Sequence, residues 1–256
     1  MYSLKEKIVF ITGASAGIGQ ACAGAFADLG ARLLLAARRV ERLEKLAADL
    51  KAAFGTESHV FALDVRNRKA VGKTVADLPV EWKDIEVLVN NAGLSRGLDK
   101  LQEGKLDDWE EMIDTNVKGL LYVSRAVLPG MVERGRGHVI NIGSIAGREV
   151  YPGGNVYCAT KFAVNALTKG MRLDLNGTGV RVTTVDPGLT ETEFSAVRFH
   201  GDAERAGKVY QGYAPLAPQD IADAVVYCAT RPLHVDVAEM LVLPTAQAST
   251  TLVHKK

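Results

Sequence analysis

Short apolar runs alternate with amphipathic segments along the whole chain. Seven runs have the length and composition of buried β-strands; they lie at residues 8–11, 32–37, 60–63, 87–90, 138–142, 180–185 and 239–243. Segments between them place apolar residues at helical spacing, as at residues 20–29, 40–51, 107–128 and 218–230. Strands that alternate with helices predict an α/β fold with a doubly wound parallel sheet. No linker interrupts the pattern, so we expect one domain over residues 1–256.

Two late segments depart from this alternation. Residues 189–213 are polar and rich in glycine, with a weak helical pattern at 202–210. A segment that long without strong structure is typically functional, and we expect it to form a substrate lid. The polar tail at 246–256 is expected to reach over a neighbouring subunit or to fray.

A glycine-rich turn follows the first strand and precedes the first helix. Gly13 permits a tight turn, and Gly17 and Gly19 let backbone N–H groups approach a pyrophosphate. The spacing G-x-x-x-G-x-G differs from the usual dinucleotide fingerprint, and glycine turns also simply connect strands to helices. Placement after the first strand favours a Rossmann-type cofactor site, which adds the intervening loop residues Ser15, Ala16 and Ile18.

The second strand ends in two arginines rather than in an acidic residue. An NAD site typically has a carboxylate here for the ribose 2′-hydroxyl, whereas an NADP site has arginine. Arg38 and Arg39 follow Ala37 directly, and Ser15 can add a hydroxyl to a 2′-phosphate. The alternative is a solvated basic turn before the next helix. We predict NADP, because the missing acid and the added bases agree.

Polar and small residues follow the next two strands. Asp64, with Val65 after it, stands where a carboxylate can accept the adenine amino group, although Asp64 can equally cap the following helix. Asn91, Ala92 and Gly93 let the backbone pass close to a nucleotide.

Asn116 interrupts an otherwise apolar helix. A mid-helix asparagine lowers helix propensity and usually reflects solvent exposure or a specific hydrogen bond. Its apolar neighbours favour a specific hydrogen bond.

The stretch from Ser144 to Lys161 carries the candidate chemistry. Tyr157 and Lys161 are four residues apart on a predicted helix, so their side chains share one face. A lysine nearby favours the phenolate and moves the tyrosine pKa toward the operating pH. Ser144 follows a buried strand, at the sheet edge where such folds bind ligands. Tyr-x-x-x-Lys also arises by chance, as the similar tetrapeptide at Tyr227, followed by arginine and proline, illustrates.

The composition limits which partners, metals and cellular compartments the protein can be expected to have. The chain is 47% hydrophobic and 24% charged, with a net charge of +1, which favours neither nucleic acid nor an anionic membrane as a partner. Its three cysteines lie in apolar helical contexts and suggest reduced thiols in the cytoplasm. The five histidines lack ligand spacing, so we expect no metal. The charged start differs from a signal peptide, and no apolar run reaches membrane-span length.

Together these motifs resemble the classical short-chain dehydrogenase/reductases over nearly the whole chain. The resemblance implies that Tyr157 is the acid/base, that Ser144 holds the substrate oxygen and that Lys161 also binds the nicotinamide ribose. It further implies that Asn116 orders a water on a proton relay. Residues implied to flank the nicotinamide half are Asn91 and the segment containing Pro187, Gly188, Leu189, Thr190 and Thr192.

A narrower resemblance points to a substrate. Leu78-Pro-x-Glu-Trp82, Gly153-Gly-Asn-Val-Tyr157 and the segment 187–199 are similar to NADP-dependent 3-hydroxy acid dehydrogenases that oxidise serine and allo-threonine. That group is typically homotetrameric and also reduces malonic semialdehyde. A carboxylate substrate calls for a nearby cation, and guanidinium suits a bidentate grip. Arg148 and Arg198 are the candidates, with Arg96 a weaker third; each can instead form a surface ion pair.

Other functions fit parts of the pattern. A broad-specificity NADPH-dependent carbonyl reductase would share the core motifs but would not need a carboxylate-binding cation. An NADP-sensing interaction protein is disfavoured because Asn116, Ser144, Tyr157 and Lys161 are all present. An epimerase or dehydratase is disfavoured because the chain lacks a sizeable C-terminal substrate region.

Overall fold

A seven-stranded parallel sheet forms the centre of the computed structural model, which describes all 256 residues. Its strands are β1 (Ile8–Thr12), β2 (Arg32–Ala37), β3 (Ser58–Ala62), β4 (Ile85–Asn90), β5 (Gly137–Ile142), β6 (Val180–Pro187) and β7 (Glu239–Val242). They lie in the order β3-β2-β1-β4-β5-β6-β7. The order reverses between β1 and β4, and such switch points open a crevice at the carboxyl edge of the sheet. The predicted doubly wound α/β class is confirmed.

Nine helices connect or flank the strands. They are α1 (Gly17–Asp28), α2 (Val40–Phe54), α3 (Arg68–Ala76), α4 (Leu106–Ile113), α5 (Leu120–Glu133), α6 (Asn155–Asp174), α7 (Phe194–Arg198), α8 (Ala203–Lys208) and α9 (Pro218–Ala229). No helix is long and apolar enough to cross a membrane.

Two hydrophobic cores cover the two faces of the sheet. One lies between the sheet and helices α1, α2 and α9 and contains Phe26 and Ile221. The other lies between the sheet and helices α3 and α5 and contains Phe10, Met131 and Leu88. The central strands β1, β4, β5 and β6 are buried at every position. Burial on both faces explains why the sequence shows continuous apolar runs instead of alternation.

The predicted helix at 107–128 is divided into three parts. Between α4 and α5, residues Asp114–Gly119 adopt a π-helical turn. Such turns widen the helix locally and frequently occur at functional sites. Asn116 lies in this turn and is buried, so the predicted hydrogen-bonding role fits better than exposure.

Three other expectations need correction. The first helix begins at Gly17 rather than at residue 20, so the glycines form its first turn. The third strand begins two residues and ends one residue earlier than predicted, at the half-buried edge of the sheet. The tail does not fray within this chain. Gln247 is buried, and the Lys256 N–H donates to the Gly212 carbonyl oxygen over 2.8 Å.

The segment at 189–213 has more structure than its weak pattern indicated. It contains the two short helices α7 and α8 and packs against the carboxyl edge of the sheet. The Arg198 carbonyl oxygen accepts from the Gly97 N–H over 2.9 Å, and the Leu189 N–H donates to the Gln247 side chain over 2.9 Å. The start and the middle of the segment are therefore tied to the body of the protein.

Candidate active site

A cavity of about 680 Å³ opens at the carboxyl edge of the sheet. It is lined by nearly every residue that the sequence assigned to the cofactor: Gly13, Ser15, Ala16, Gly17, Ile18, Arg38, Arg39, Asp64, Val65, Asn91, Ala92, Gly93, Tyr157, Lys161, Pro187, Gly188, Leu189, Thr190 and Thr192. Gly19 is the exception. Gly19 lies behind the glycine loop, where the absence of a side chain lets the loop pack closely against Asn91.

The glycine loop is held against the end of β4 by Asn91. The Asn91 side-chain amide donates to the carbonyl oxygens of Thr12 and Gly13 over 3.0 and 3.1 Å. A Cβ atom on Gly19 would lie 2.5 Å from that amide nitrogen, and one on Gly13 would lie 2.9 Å from it. Both positions therefore require glycine because the loop and Asn91 approach so closely.

The amino terminus of α1 is free to receive an anion. Ala16 at the N-cap supplies no side-chain acceptor, and the first turn contains no acidic residue. The unpaired N–H groups and the helix dipole therefore favour a phosphate at this point. The loop, the small residues and the helix end fit the pyrophosphate of a dinucleotide.

The two arginines after β2 point in different directions. The Arg39 guanidinium donates to the Ser15 hydroxyl over 3.3 Å, which joins two of the predicted 2′-phosphate ligands. Arg38 is 56% exposed and lies 3.7 Å from Glu111. Arg39 also contacts Glu193, a residue of the 189–213 segment that the sequence did not single out.

Asp64 is already engaged by its neighbour. Its carboxylate accepts from the Arg66 guanidinium, the shortest contact being 2.6 Å. Hydrogen bonding to Arg66 lowers the pKa of Asp64, with the Arg66 and Arg38 charges acting in the same direction. The helix that follows is capped by Asn67, whose side chain accepts from the Ala70 N–H. The capping alternative for Asp64 is therefore wrong.

Strand β5 and helix α6 bring the catalytic candidates together. Ser144 follows β5, and the first two turns of α6 carry Tyr157 and Lys161 into the same cavity. The Lys161 ammonium donates to the Ile142 carbonyl oxygen over 2.8 Å and lies 6.0 Å from the Tyr157 ring centre. The i, i+4 prediction for this pair is geometrically correct.

Burial has the largest effect on the pKa values of Tyr157 and Lys161. It raises the pKa of Tyr157 above its ordinary value, while the Arg198 charge and the Ser144 hydroxyl lower it in part. Burial also lowers the pKa of Lys161 to about 8. The sequence predicts that Lys161 favours the phenolate. In the structure the Arg198 guanidinium does so instead, because it lies 5.4 Å from the Tyr157 ring centre.

Asn116 joins the helical region to the loop that follows β4. Its side-chain oxygen accepts from the Leu94 N–H over 2.8 Å, and its nitrogen donates to the Leu94 carbonyl oxygen and to Thr160. This side chain is fully used in positioning the loop beside Gly93. It does not itself line the cavity, so its predicted water-ordering role remains a prediction.

Arg198 is the candidate that the structure brings to the reacting residues. From the end of α7 it donates to the Ser95 and Tyr151 hydroxyl oxygens over 3.1 and 3.0 Å. Its guanidinium lies against the rings of Phe194 and Tyr157, and no carboxylate lies within 4.0 Å of it. A guanidinium without an acidic partner inside a cavity is suited to an anion.

The other two arginines are placed differently. Arg148 lies outside the cavity, where it pairs with the fully buried Asp186 and with Glu239, both at 2.7 Å. Arg96 pairs with Glu111 at 2.7 Å and donates to the Val197 carbonyl oxygen. Both guanidinium groups are therefore already engaged within the fold, which disfavours Arg148 and Arg96 as ligands of a substrate carboxylate.

Tyr151, Glu193 and Gln247 are among the cavity-lining residues that sequence reasoning did not single out. Tyr151 had a local signal, since it stands at the start of the glycine turn that precedes α6. Glu193 and Gln247 had none, because their contacts with Arg39 and with the Leu189 N–H join residues far apart in the chain.

Hydride exchange with a nicotinamide is the chemistry that this arrangement serves. The cavity runs along the glycine loop and contains a buried tyrosine and lysine that can exchange a proton with a hydroxyl or carbonyl oxygen. The fold and the site therefore define a dinucleotide-dependent oxidoreductase. The family model described as short chain dehydrogenase matches residues 7–203, and the chain belongs to that family.

Individual relatives agree with this class. The chain is 51% identical to the NADP-dependent 3-hydroxy acid dehydrogenase of Salmonella typhi over 94% of this chain and 96% of the relative. It is 47% identical to sulfoacetaldehyde reductase 2 of Chromohalobacter salexigens, covering 94% and 95%. A closed form of serine dehydrogenase complexed with NADP+ is 47% identical, with a TM-score of 0.91 over 97% of this chain and 100% of that one.

These similarities establish the enzyme class and the cofactor. The protein is an NADP-dependent oxidoreductase that acts on CH–OH groups, so the predicted enzyme class and the predicted cofactor are confirmed.

Proposed function

We propose that this enzyme exchanges a hydride between NADP(H) and the 3-hydroxyl or 3-oxo carbon of small 3-hydroxy acids, such as serine, allo-threonine or 3-hydroxypropionate. The observation that carries the proposal is Arg198, an arginine without a carboxylate partner that lies 5.4 Å from the ring centre of Tyr157. A short acid can place its carboxylate on Arg198 and its hydroxyl on Tyr157 at the same time.

The carboxylate site has two donor side chains in the cavity wall. The Arg198 fork supplies directed N–H groups and the Tyr151 hydroxyl stands beside it, while the buried Ser95 hydroxyl holds the guanidinium from behind. Both hydroxyls accept hydrogen bonds from Arg198. A bound carboxylate would accept from the guanidinium and from the Tyr151 hydroxyl, since charge-assisted hydrogen bonds are stronger than neutral ones.

The proton chemistry belongs to Tyr157 and Ser144. In oxidation, Tyr157 removes the proton from the 3-hydroxyl while the Ser144 hydroxyl donates to the same substrate oxygen. Bound NADP+ would supply the hydride acceptor for the carbon that carries this hydroxyl. In reduction, Tyr157 returns the proton to the oxygen. The Lys161 ammonium is fixed by Ile142, and its remaining N–H groups face the cavity beside Gly93.

The cofactor assignment rests on the residues around the glycine loop. The pyrophosphate would lie at the amino terminus of α1, and the 2′-phosphate would lie among Ser15, Arg38 and Arg39. Asp64 and Val65 would contact the adenine, and Asn91 to Gly93 with Pro187 to Thr192 would flank the nicotinamide half. The segment at 189–213 would close over both ligands as a lid.

The anion site is compatible with a sulfonate as well as a carboxylate. Arginine and tyrosine donors recognise either group, and one relative is named sulfoacetaldehyde reductase 2. A broad-specificity NADPH-dependent carbonyl reductase is the second candidate. It is favoured by the apolar part of the cavity wall, which includes Leu94, Phe194 and Val197.

Initial rates against a matched panel test these alternatives. The panel contains L-serine, D-serine, L-allo-threonine, 3-hydroxypropionate, 2-hydroxyethanesulfonate and a neutral secondary alcohol, each with NADP+ and with NAD+. The proposal predicts that carboxylates are oxidised with higher kcat/KM than the neutral alcohol. A faster sulfonate would move the substrate to hydroxy sulfonates. Activity on the neutral alcohol alone would favour general carbonyl reduction.

We also propose a homotetramer in the cytoplasm. The outer face of α6 exposes Phe162 and Leu173, which are 43% and 79% accessible, and the neighbouring α5 exposes Leu121. Apolar side chains grouped on adjacent helices are typical of subunit contacts. Light scattering of the purified protein would give four chain masses. The cytoplasmic location rests on the three cysteines, all of which are buried and unpaired.

A further inference from the structure

A lid carboxylate reaches the basic residues of the predicted 2′-phosphate site. Glu193, just before α7, accepts from the Arg39 guanidinium over 3.0 Å and from the Arg42 guanidinium over 2.7 Å. The same Arg39 donates to Ser15 through its other terminal nitrogen. One side of the Arg39 fork therefore faces the phosphate loop and the other faces the lid.

Glu193 is held in this position by the residues before it. Thr192 packs over the glycine loop, since a Cβ atom on Gly17 would lie 3.2 Å from the Thr192 methyl group. The Thr192 hydroxyl accepts from the Phe194 N–H over 3.1 Å, which fixes the turn that carries Glu193. The carboxylate is thus placed by the backbone and does not depend on its ion pairs alone.

The charge of Glu193 opposes the charge of the cofactor. Hydrogen bonding to Arg42, and then to Arg39, lowers the pKa of Glu193 and keeps it ionised near neutral pH. Glu193, Ser15, Arg38 and Arg39 all line the same cavity. A 2′-phosphate beside Ser15 would carry nearly two negative charges, so it must share Arg39 with a carboxylate that repels it.

We propose that Glu193 is a specificity-determining residue that competes with the 2′-phosphate for Arg39 and so weakens the binding of NADP(H) selectively. A cofactor without the 2′-phosphate meets no such competition. The arrangement lets two arginines select NADP while the lid carboxylate limits how tightly the cofactor is held, which favours its release after hydride transfer. The inference rests on the proposed assignment of Arg39 to the 2′-phosphate.

Calorimetric titration with NADP+ and with NAD+ tests the competition without turnover. The substitution Glu193→Gln keeps the shape of the side chain and removes its charge. We expect it to lower the Kd for NADP+ by about 3- to 10-fold. A change of this size corresponds to removing one solvent-screened repulsion between the Glu193 carboxylate and the 2′-phosphate. The Kd for NAD+ should change by less than about 2-fold, because only its more distant pyrophosphate feels the charge.

Two further variants separate the possible failures. Glu191→Gln removes the same charge from the same segment at a residue that forms no ion pair, and it should leave both Kd values unchanged. Arg39→Gln should weaken NADP+ binding, and combining it with Glu193→Gln should shrink the gain from the second change.

The outcomes are distinct. If Arg39→Gln leaves the NADP+ affinity intact, the proposed phosphate assignment fails, and the competition fails with it. If Arg39→Gln weakens NADP+ but Glu193→Gln weakens it too, or leaves it unchanged, the phosphate assignment stands and the competition is wrong. An equal gain for NAD+ would likewise contradict a selective role for Glu193.

Discussion

The Arg198 guanidinium lies 5.4 Å from the centre of the Tyr157 ring and donates to the Tyr151 hydroxyl over 3.0 Å. This places a cation without a carboxylate partner beside the buried acid/base residue. The cation has two consequences there: it can bind a substrate anion, and it lowers the pKa of Tyr157 against the effect of burial. Both consequences can be measured.

The first prediction concerns the pH dependence of the reaction. Burial raises the pKa of Tyr157 and Arg198 lowers it, so Arg198→Met should raise it further. Oxidation requires the deprotonated tyrosine, so its rate rises with pH through this pKa. The midpoint of that rise, measured with a neutral alcohol as substrate, should move to higher pH in the variant. A midpoint that stays in place would show that Arg198 has no electrostatic effect on Tyr157.

The second prediction separates Arg148 from catalysis. Arg148 pairs with Asp186, whose side chain is fully buried, so Arg148→Met leaves a carboxylate without its cation. Arg148 itself is 31% exposed, so solvent screening reduces the loss, and we expect about 1–3 kcal/mol of destabilisation in urea unfolding.

Substrate preference is the control for this variant. The ratio of kcat/KM for 3-hydroxypropionate to that for its methyl ester should match the wild-type ratio. A selective loss of the acid substrate would return Arg148 to the carboxylate site.

The third prediction concerns the cost of burying Lys161. Its pKa falls from 10.5 to about 8, so the unfolded chain binds this proton more tightly than the folded one. Stability from this group is therefore lowest below pH 8 and recovers as pH rises toward 10.5. Lys161→Met removes the penalty but also the hydrogen bond to Ile142, and we expect a net gain of about 1–2 kcal/mol at pH 7.

Two measurements check the lysine variant. Urea unfolding between pH 7 and 10 should show the gain shrinking as pH rises. Turnover should fall about 100-fold or more, because the proposed hydrogen bond from Lys161 to the nicotinamide ribose is lost beside the acid/base residue. A stability gain that is independent of pH would contradict the lowered pKa of Lys161.

The fourth prediction concerns the attachment of residues 189–213 by the tail. Gln247 is 5% exposed and accepts from the Leu189 N–H over 2.9 Å. Gln247→Ala leaves this backbone donor without a partner, at a cost of about 1–3 kcal/mol. We expect a higher KM for NADP+ and faster proteolysis within residues 189–213. Gln219→Ala, an exposed change on α9, should do neither. Equal proteolysis of the two variants would contradict the role of Gln247.

Local sequence patterns were sufficient to predict most of the strands and helices and the position of the catalytic residues. Buried parallel strands are continuous apolar runs, so β1, β2 and β5 were located to within one residue of each end. Ser144, Tyr157 and Lys161 could be grouped because a strand end and one helix face determine their positions. The first turn of α1 was missed because glycine lowers helix propensity while the loop packing requires it.

Ion pairs between residues far apart in the chain explain what the sequence could not predict. Arg148 and Arg198 are equivalent in sequence terms, yet one meets Asp186 and Glu239 whereas the other meets only hydroxyls and aromatic rings. Which arginine remains free depends on how β6, β7 and α7 come together, and no local pattern encodes it. The same holds for Glu193, whose partners lie about 150 residues earlier.

The most direct test of the central claim compares one acid with its neutral ester. We would measure kcat/KM with NADP+ for 3-hydroxypropionate and for methyl 3-hydroxypropionate, in the wild type and in Arg198→Met. The account predicts that the ratio of acid to ester falls about 10- to 100-fold in the variant, the value of hydrogen bonds to a charged group. An unchanged ratio would mean that Arg198 does not bind the carboxylate, and the function would move to general carbonyl reduction.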